Sequence, residues 1–316
     1  MTASVRKNRV AAIDCGTNSI RLLVADLPAP DSRPSTPLTD VVRRMEIVRL
    51  GAGVDRTGRL AADAIERTRV ALADYAHQIS ELGVDRVRMV ATSASRDAAN
   101  AGDFTAMVRA TIGVDPEVVS GDEEARLSFD GAVRGLPASE PSPYLVVDIG
   151  GGSTEFVTGT QTVDHAISMD VGCVRMTERH LVTDPPNSAE IAAAERDITA
   201  AVRHALDVVP GRDAKTLVGL AGSVTTVAAI AMGLETYDPD RIHHARISAA
   251  DVARVTDDLL VATRAQRLAI PVMHPGRADV IAAGALILRT VMAESGASAV
   301  VASEHDILDG IAWSLG

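Results

Sequence analysis

The chain has 316 residues, 47% of them hydrophobic, with a formal net charge of −11 and only one Trp, three Tyr and three Phe. That acidity argues against general nucleic-acid binding, which needs a basic face, and the scarcity of aromatics removes a single-strand stacking platform. The two cysteines, Cys15 and Cys173, make neither a disulfide framework nor a zinc spacing, and no apolar run is long enough to span a bilayer. No apolar segment follows the first basic residues as a secretion signal would require, so the expected location is the cytoplasm.

Residues 11–26, AAIDCGTNSIRLLVAD, run from one apolar strand through a small polar turn straight into another. Residues 28–40, rich in Pro, Ser and Asp, read as a loop, and 41–51 as a strand. Residues 60–83 have helical spacing at Ile65, Leu72, Ile79 and Leu82, with Gly83 as a stop. Residues 86–100 read as strand, turn and helix, and 113–135 as a short strand, a Ser-Gly-Asp turn and a helix. A second half opens near residue 143 with PYLVVDIGGGSTEFVTG. Beyond it lie a helix over 188–209 with Ile191, Ile198, Val202 and Leu206 on one face, and a strand and helix over 215–233. A helix follows over 277–296, then a final strand and helix over 298–316, where Ser303 followed by Asp306 reads as a helix cap. Alternating strands and helices, with Val and Ile in the strands, predict an α/β fold with a mostly parallel core.

The two halves share a motif. Asp14-Cys15-Gly16-Thr17-Asn18-Ser19 and Asp148-Ile149-Gly150-Gly151-Gly152-Ser153 both read D-x-G-x-x-S, follow an apolar strand and lead into a second strand. One copy alone is a hairpin turn. Two copies at equivalent places favour a paired phosphate clamp in a duplicated domain, since glycine-rich turns present successive amides to an anion. A dinucleotide-binding reading is disfavoured, because the glycines lead into strands and not into a helix.

Other stretches leave two readings open. Gly222 and Ser223, where a strand runs into a helix, either point helix amides at an anion or supply an ordinary N-cap. Arg96, beyond a strand end, and Arg21, two residues past the first turn, suit bidentate phosphate contact or a surface ion pair. Arg267 and Arg277 are weaker basic candidates. The adjacent Glu123 and Glu124 diverge by roughly 100° on a helix, so only one can face a given site, and acidic bias in a first turn explains the pair equally well. Cys15 reads as a space-filling residue. His243-His244 lacks metal-ligand spacing.

Together, IDCGTNSIRLLVAD, ATSASRDAAN, SGDEEARL, VVDIGGGSTEF, AGSVTT, RADVIAAGALIL and SEHDILDG resemble, in order and from about residue 9 to the end, the exopolyphosphatase/guanosine pentaphosphate phosphohydrolase family. The resemblance implies the actin/sugar-kinase/Hsp70 superfold: two ribonuclease-H-like lobes, residues 1–122 with 303–316 and residues 123–302, with an interdomain cleft. It implies release of terminal orthophosphate from inorganic polyphosphate or, alternatively, hydrolysis of guanosine pentaphosphate in the stringent response. Magnesium is the implied cofactor, with potassium stimulation and a homodimer. By motif position Glu124 matches the catalytic base. Asp14, Gly16, Thr17, Asn18 and Ser19 match the first phosphate loop, and Asp148, Gly150, Gly151, Gly152 and Ser153 the second. Arg96 falls near the scissile phosphate, and Gly222 and Ser223 on a third loop. Asp14, Asp148 and Glu155 are the implied metal carboxylates.

Longer members of the family carry an additional C-terminal helical region, so a short-chain preference is expected here. Thr17 stands where many relatives have Ser, which keeps the hydroxyl. A sugar or acid kinase on the same superfold would need an acceptor-site aspartate for which no signal stands out. A non-hydrolysing alarmone or nucleotide sensor would be marked by loss of Glu124 or a loop aspartate, and both are present.

Overall fold

The computed structural model describes residues 8–29 and 36–316. The first seven residues and part of the Pro-rich 28–40 segment therefore lie outside the described residues. The chain divides into two compact units, Met1–Ser120 with Ile307–Gly316, and Gly121–Asp306.

The smaller unit starts with β1 (Arg9–Cys15), β2 (Ser19–Asp26) and β3 (Thr39–Ile47). It continues through α1 (Val54–Thr57), α2 (Ala62–Glu81), β4 (Arg86–Ala91), α3 (Ser93–Asp97), α4 (Ala101–Ile112) and β5 (Glu117–Val118). Its sheet has the order β3-β2-β1-β4-β5, with β1 antiparallel to β2 and parallel to β4. β1 is central and buried along nearly its whole length, as its unbroken apolar run requires. The edge strand β3, TDVVRRMEI, spaces its charges along an exposed border.

α2 stops at Gly83, φ +61°, the left-handed position glycine fills without strain. Its buried face is Ala64, Thr68, Leu72 and Tyr75, while Ile65 and Ile79 sit at the margin. The aliphatic spacing had pointed to the latter. The difference follows from Tyr75, whose ring fills the core while its hydroxyl donates to the Ile20 carbonyl at 3.1 Å.

The larger unit comprises α5 (Gly121–Val133), β6 (Tyr144–Ile149), β7 (Thr154–Gly159), β8 (Val163–Met169), α6 (Cys173–His180), α7 (Ser188–Val208), β9 (Thr216–Leu220) and α8 (Ala221–Ala231). It is completed by α9 (Pro239–Ile242), β10 (Arg246–Ser248), α10 (Ala249–Val261), α11 (Arg264–Leu268), α12 (Ile281–Ser295) and β11 (Ala299–Ala302). The sheet order is β10-β11-β9-β6-β7-β8. Alternation along β6 sorts its side chains between two cores. Leu145, Val147 and Ile149 join the aliphatic faces of α7, α8, α10 and α12, and Val146 joins Ala125, Phe129 and Ala132 of α5. The chain then returns to the smaller unit as α13 (Ile307–Trp313), which packs on β1, β2 and β4.

Each unit is thus an antiparallel three-strand meander extended by two parallel strands, with an antiparallel β10 added at the edge of the larger sheet, the ribonuclease-H-like topology of the actin/sugar-kinase/Hsp70 superfold. Ser303 does not cap α13. Its hydroxyl donates to the His305 carbonyl and accepts from the His305 amide, closing a turn before the helix begins at Ile307.

Candidate active site

The two D-x-G-x-x-S turns fold alike. In the first, the Gly16 amide donates to the Ser19 carbonyl at 2.9 Å; in the second, the Gly150 amide donates to Ser153 at 3.0 Å. Across each hairpin the aspartate pairs in register with the residue seven positions on: Asp14 with Arg21, and Asp148 with Glu155.

The carbonyls of both turns are occupied by the segment that follows the third strand of each meander. In the smaller unit, Val48 and Arg49 amides donate to Asn18 at 3.1 and 2.8 Å, and Gly51 donates to Thr17 at 2.9 Å. In the larger unit, Cys173 donates to Gly150 at 3.0 Å, Val174 and Arg175 donate to Gly151 at 2.9 and 3.1 Å, and the Arg175 guanidinium donates to Gly152 at 2.7 Å. With the Gly16 and Gly150 amides closing the turns and the turn carbonyls held by the neighbouring segment, both turns have the build of the glycine-rich nests that bind anions.

Close packing fixes these turns. A β-carbon on Gly51 would overlap the Thr17 γ-methyl and come within 3.0 Å of the Ala94 β-carbon. One on Gly172 would overlap the Gly151 carbonyl oxygen. The Thr17 hydroxyl also shares a buried 2.9 Å hydrogen bond with Ser93, at the start of α3. Arg96, on the same short helix, is half-buried and donates to the Val119 carbonyl at 3.1 Å. Arg21 is committed to Asp14, with Nε and Nη2 at 2.9 and 2.7 Å from Oδ2.

The larger unit gathers carboxylates. Asp148 and Glu155 project to the sheet face covered by α5, whose first turn carries Glu124 and whose second carries Ser128. Ser128 Oγ donates to Asp148 at 2.7 Å, and Ser168 Oγ donates to Glu155 at 2.7 Å. Glu124, Asp148 and Glu155 are 7%, 7% and 1% exposed. Burial, with the charges of Glu124 and Asp148 nearby, pushes the Glu155 carboxyl well above the ordinary carboxylate range. Of the adjacent glutamates, Glu124 is the buried one, as helical divergence requires, and Glu123 is half-buried.

Ser223 lies inside the first turn of α8 and does not cap it; the cap position is Leu220. The Arg277 guanidinium lies over Gly222, donating to its carbonyl at 3.4 Å and to Thr226 Oγ1 at 3.1 Å. Arg267 is 5% exposed and pairs with Asp184 at 3.1 Å, a structural use. Cys15 is buried and its thiol is pushed up by burial and by Asp14, which suits an inert space-filler.

Magnesium binds through one or two carboxylates with water and substrate phosphates, not in an all-protein cage. The hard oxygen donors of the buried cluster fit that chemistry, and among the described residues no group of three or more His, Cys, Asp or Glu is arranged as a metal cage. No helix among the described residues is long and apolar enough to cross a membrane.

Two ribonuclease-H-like units, each with a strand–turn–strand of one build at the start of its sheet, define an actin-like protein. The chain belongs to the Ppx/GppA phosphatase family, whose model matches residues 31–315. It is 50% identical over 316 residues to Exopolyphosphatase 2 of Mycobacterium tuberculosis, with 97% of this chain and 98% of that protein covered. A solved exopolyphosphatase-like protein is 42% identical with a TM-score of 0.92, over 98% of both chains. The Ppx/GppA family member of Aquifex aeolicus is 31% identical with a TM-score of 0.79, covering 97% of this chain and 96% of its own.

Proposed function

We propose that the protein is an exopolyphosphatase that removes the terminal orthophosphate of inorganic polyphosphate, short chains first. The observation that carries the reading is the buried Glu124–Asp148–Glu155 cluster set beside an amide-presenting turn. The likeness to Exopolyphosphatase 2 over nearly the whole chain supports the choice of polymer.

Phosphoryl transfer is mostly positioning and charge neutralisation. In the larger unit the turn around Gly150–Ser153, with Gly222 and Ser223, offers amides to phosphate oxygens, and in the smaller unit the turn around Gly16–Ser19 does so with the Arg96 guanidinium, while Arg21 holds Asp14. Glu124 orients a water and takes its proton as the oxygen attacks the terminal phosphorus in line. The bond from that phosphorus to the bridging oxygen breaks, and the shortened chain leaves with the electron pair. Asp148 and Glu155, paired across one hairpin of the larger unit, are the carboxylates that would hold magnesium, which when bound would offset phosphate charge. Ser128 and Ser168 fix the Asp148 and Glu155 carboxyls by hydrogen bonds. Potassium stimulation and a cytoplasmic homodimer belong to the same reading.

The test is orthophosphate release from short polyphosphate, long polyphosphate and guanosine pentaphosphate, assayed side by side with Mg²⁺ and with K⁺ or Na⁺. Fastest turnover on short polyphosphate is expected. Preference for guanosine pentaphosphate would move the protein to the alternative activity, and binding without release would make it a sensor.

A further inference from the structure

Buried threonines in the long helices of the larger unit spend their hydroxyls on their own backbone. Thr256 and Thr290 donate to the Val252 and Leu286 carbonyls, one turn back, at 2.7 and 2.8 Å. Thr225 of α8, buried like them, instead reaches Tyr237. The Tyr237 hydroxyl bridges Thr225 Oγ1 at 2.7 Å and Glu304 Oε1 at 2.6 Å. Having one proton, it donates to one partner and accepts from the other. A carboxylate only accepts, which leaves Thr225 as the donor to the phenol oxygen. Glu304 is itself fixed just past β11, its amide donating to His243 Nδ1 at 3.2 Å.

The bond matters because of where Thr225 sits, one helical turn after Ala221, the residue that opens the third loop. Ala221 has φ +67°, a left-handed backbone that a β-carbon disfavours. No side chain caps α8. A strained entry of this kind persists only where its surroundings over-determine it. Two side chains from outside the helix do so. Arg277 holds the Gly222 carbonyl and Thr226, and Tyr237 holds Thr225. The Tyr237 ring packs against the aliphatic core, a task phenylalanine would do equally well, so the hydroxyl is there for the tie.

We infer that Tyr237 is a positioning residue for the proposed reaction: through Thr225 it holds the first turns of α8, and with them the Gly222–Ser223 amides, in the pose that meets a phosphate. The inference rests on the polyphosphate reading above. Amides at a helix start stabilise an anion to the extent that their direction is fixed beforehand.

The experiment measures kcat and KM for short polyphosphate, calorimetric binding of imidotriphosphate, whose P–N–P bridges resist cleavage, and the thermal midpoint. The proteins are wild type, Tyr237→Phe, Thr225→Val, their double variant and Thr225→Ser. Tyr237→Phe and Thr225→Val should each raise KM and the Kd of the analogue by about three- to tenfold, the equivalent of one hydrogen bond, with kcat little changed. The double variant should be no worse than either single one, because both remove the same bond. Thr225→Ser, which keeps the hydroxyl, recovers most of the loss. If Tyr237→Phe does not fold, Thr225→Val against Thr225→Ser decides the point. Single variants that melt lower yet keep KM and Kd within about twofold of wild type would make the tie merely structural, and additive losses in the double variant would separate the two hydroxyls. Either result overturns the role of Tyr237 while the polyphosphate reading stands. If wild type itself neither binds the analogue nor releases phosphate, both fall together.

Discussion

Asp148 and Glu155 face each other across the β6–β7 hairpin at the register that pairs Asp14 with Arg21 across β1–β2. The same scaffold position is therefore a neutralised ion pair in one unit and a like-charge pair in the other. Two acids in register, with Glu124 adding a third charge, disfavour one another unless a proton or a cation intervenes. Duplication kept the turn and diverged its electrostatics, so that the larger unit concentrates negative charge where the smaller cancels it.

The proposed role of Glu124 has a direct consequence. Glu124→Gln keeps the shape but cannot accept the water proton. Turnover should fall by about 10²–10⁴, the usual contribution of a general base, with KM for polyphosphate little changed. Steady-state phosphate release reads both constants, and a variant of near wild-type kcat would remove Glu124 from the base role.

Glu155 makes a prediction about stability. In the unfolded chain its carboxyl titrates near about 4.3 and in the folded protein well above that. Its contribution is full below the unfolded value and is lost as pH rises towards the folded one, because the unfolded chain releases its proton first. Glu155→Gln should therefore be the more stable protein at pH 8 in metal-free buffer, by about 1.4 kcal/mol for each unit by which the folded carboxyl titrates above the unfolded one within that range. The gap should close towards pH 4. Denaturant unfolding across that range checks it, and a pH-independent gap would count against the assigned cause.

Thr17 and Gly51 should be coupled. Gly51→Ala forces its methyl onto the Thr17 γ-methyl and should cost about 1–3 kcal/mol, the scale of overpacking. Thr17→Ser removes the obstructing methyl but keeps the hydroxyl bonded to Ser93. The double variant should recover most of the loss in a denaturant-unfolding cycle. Simple additivity would show that the contact is unimportant.

Gly172 and Gly222 should fail in different ways. Gly172 has φ −138°, open to any residue, but its missing β-carbon faces the rigid Gly151 backbone. Gly172→Ala should lower the unfolding midpoint and kcat/KM together. At Gly222 the obstacle is the movable end of Arg277, so Gly222→Ala should leave the midpoint within a degree or two while lowering kcat/KM severalfold. Equal melting losses in the two variants would contradict the distinction.

The paired turns were legible in the sequence because duplication repeats a spacing, and a repeat is visible without coordinates. The buried partner of the Glu-Glu pair was not fixed by spacing alone; it took α5 lying across Asp148 and Glu155 to select Glu124. The segments 48–51 and 172–175, which grip the two turns, left no signature, since they act through main-chain amides that any residue carries. Tyr237 carried no signal, because its two partners stand 12 and 67 residues away in the chain. Ser303 misled for the opposite reason: its hydroxyl had a local turn to close before any helix began.

The return of α13 to the smaller unit bears on how the molecule is made. Arg43 of β3 is bonded to Asp309, at 2.6 Å, and Arg88 of β4 to Ser314, at 2.7 Å. Those partners emerge from the ribosome only after the whole continuous larger unit has been translated. At about 5–20 residues per second the early sheet waits on the order of ten to forty seconds for its last helix. Throughout that interval the flank of β1 and β2 destined for α13 has no helix to cover it, the kind of transiently exposed apolar surface that makes a partly made chain prone to aggregate.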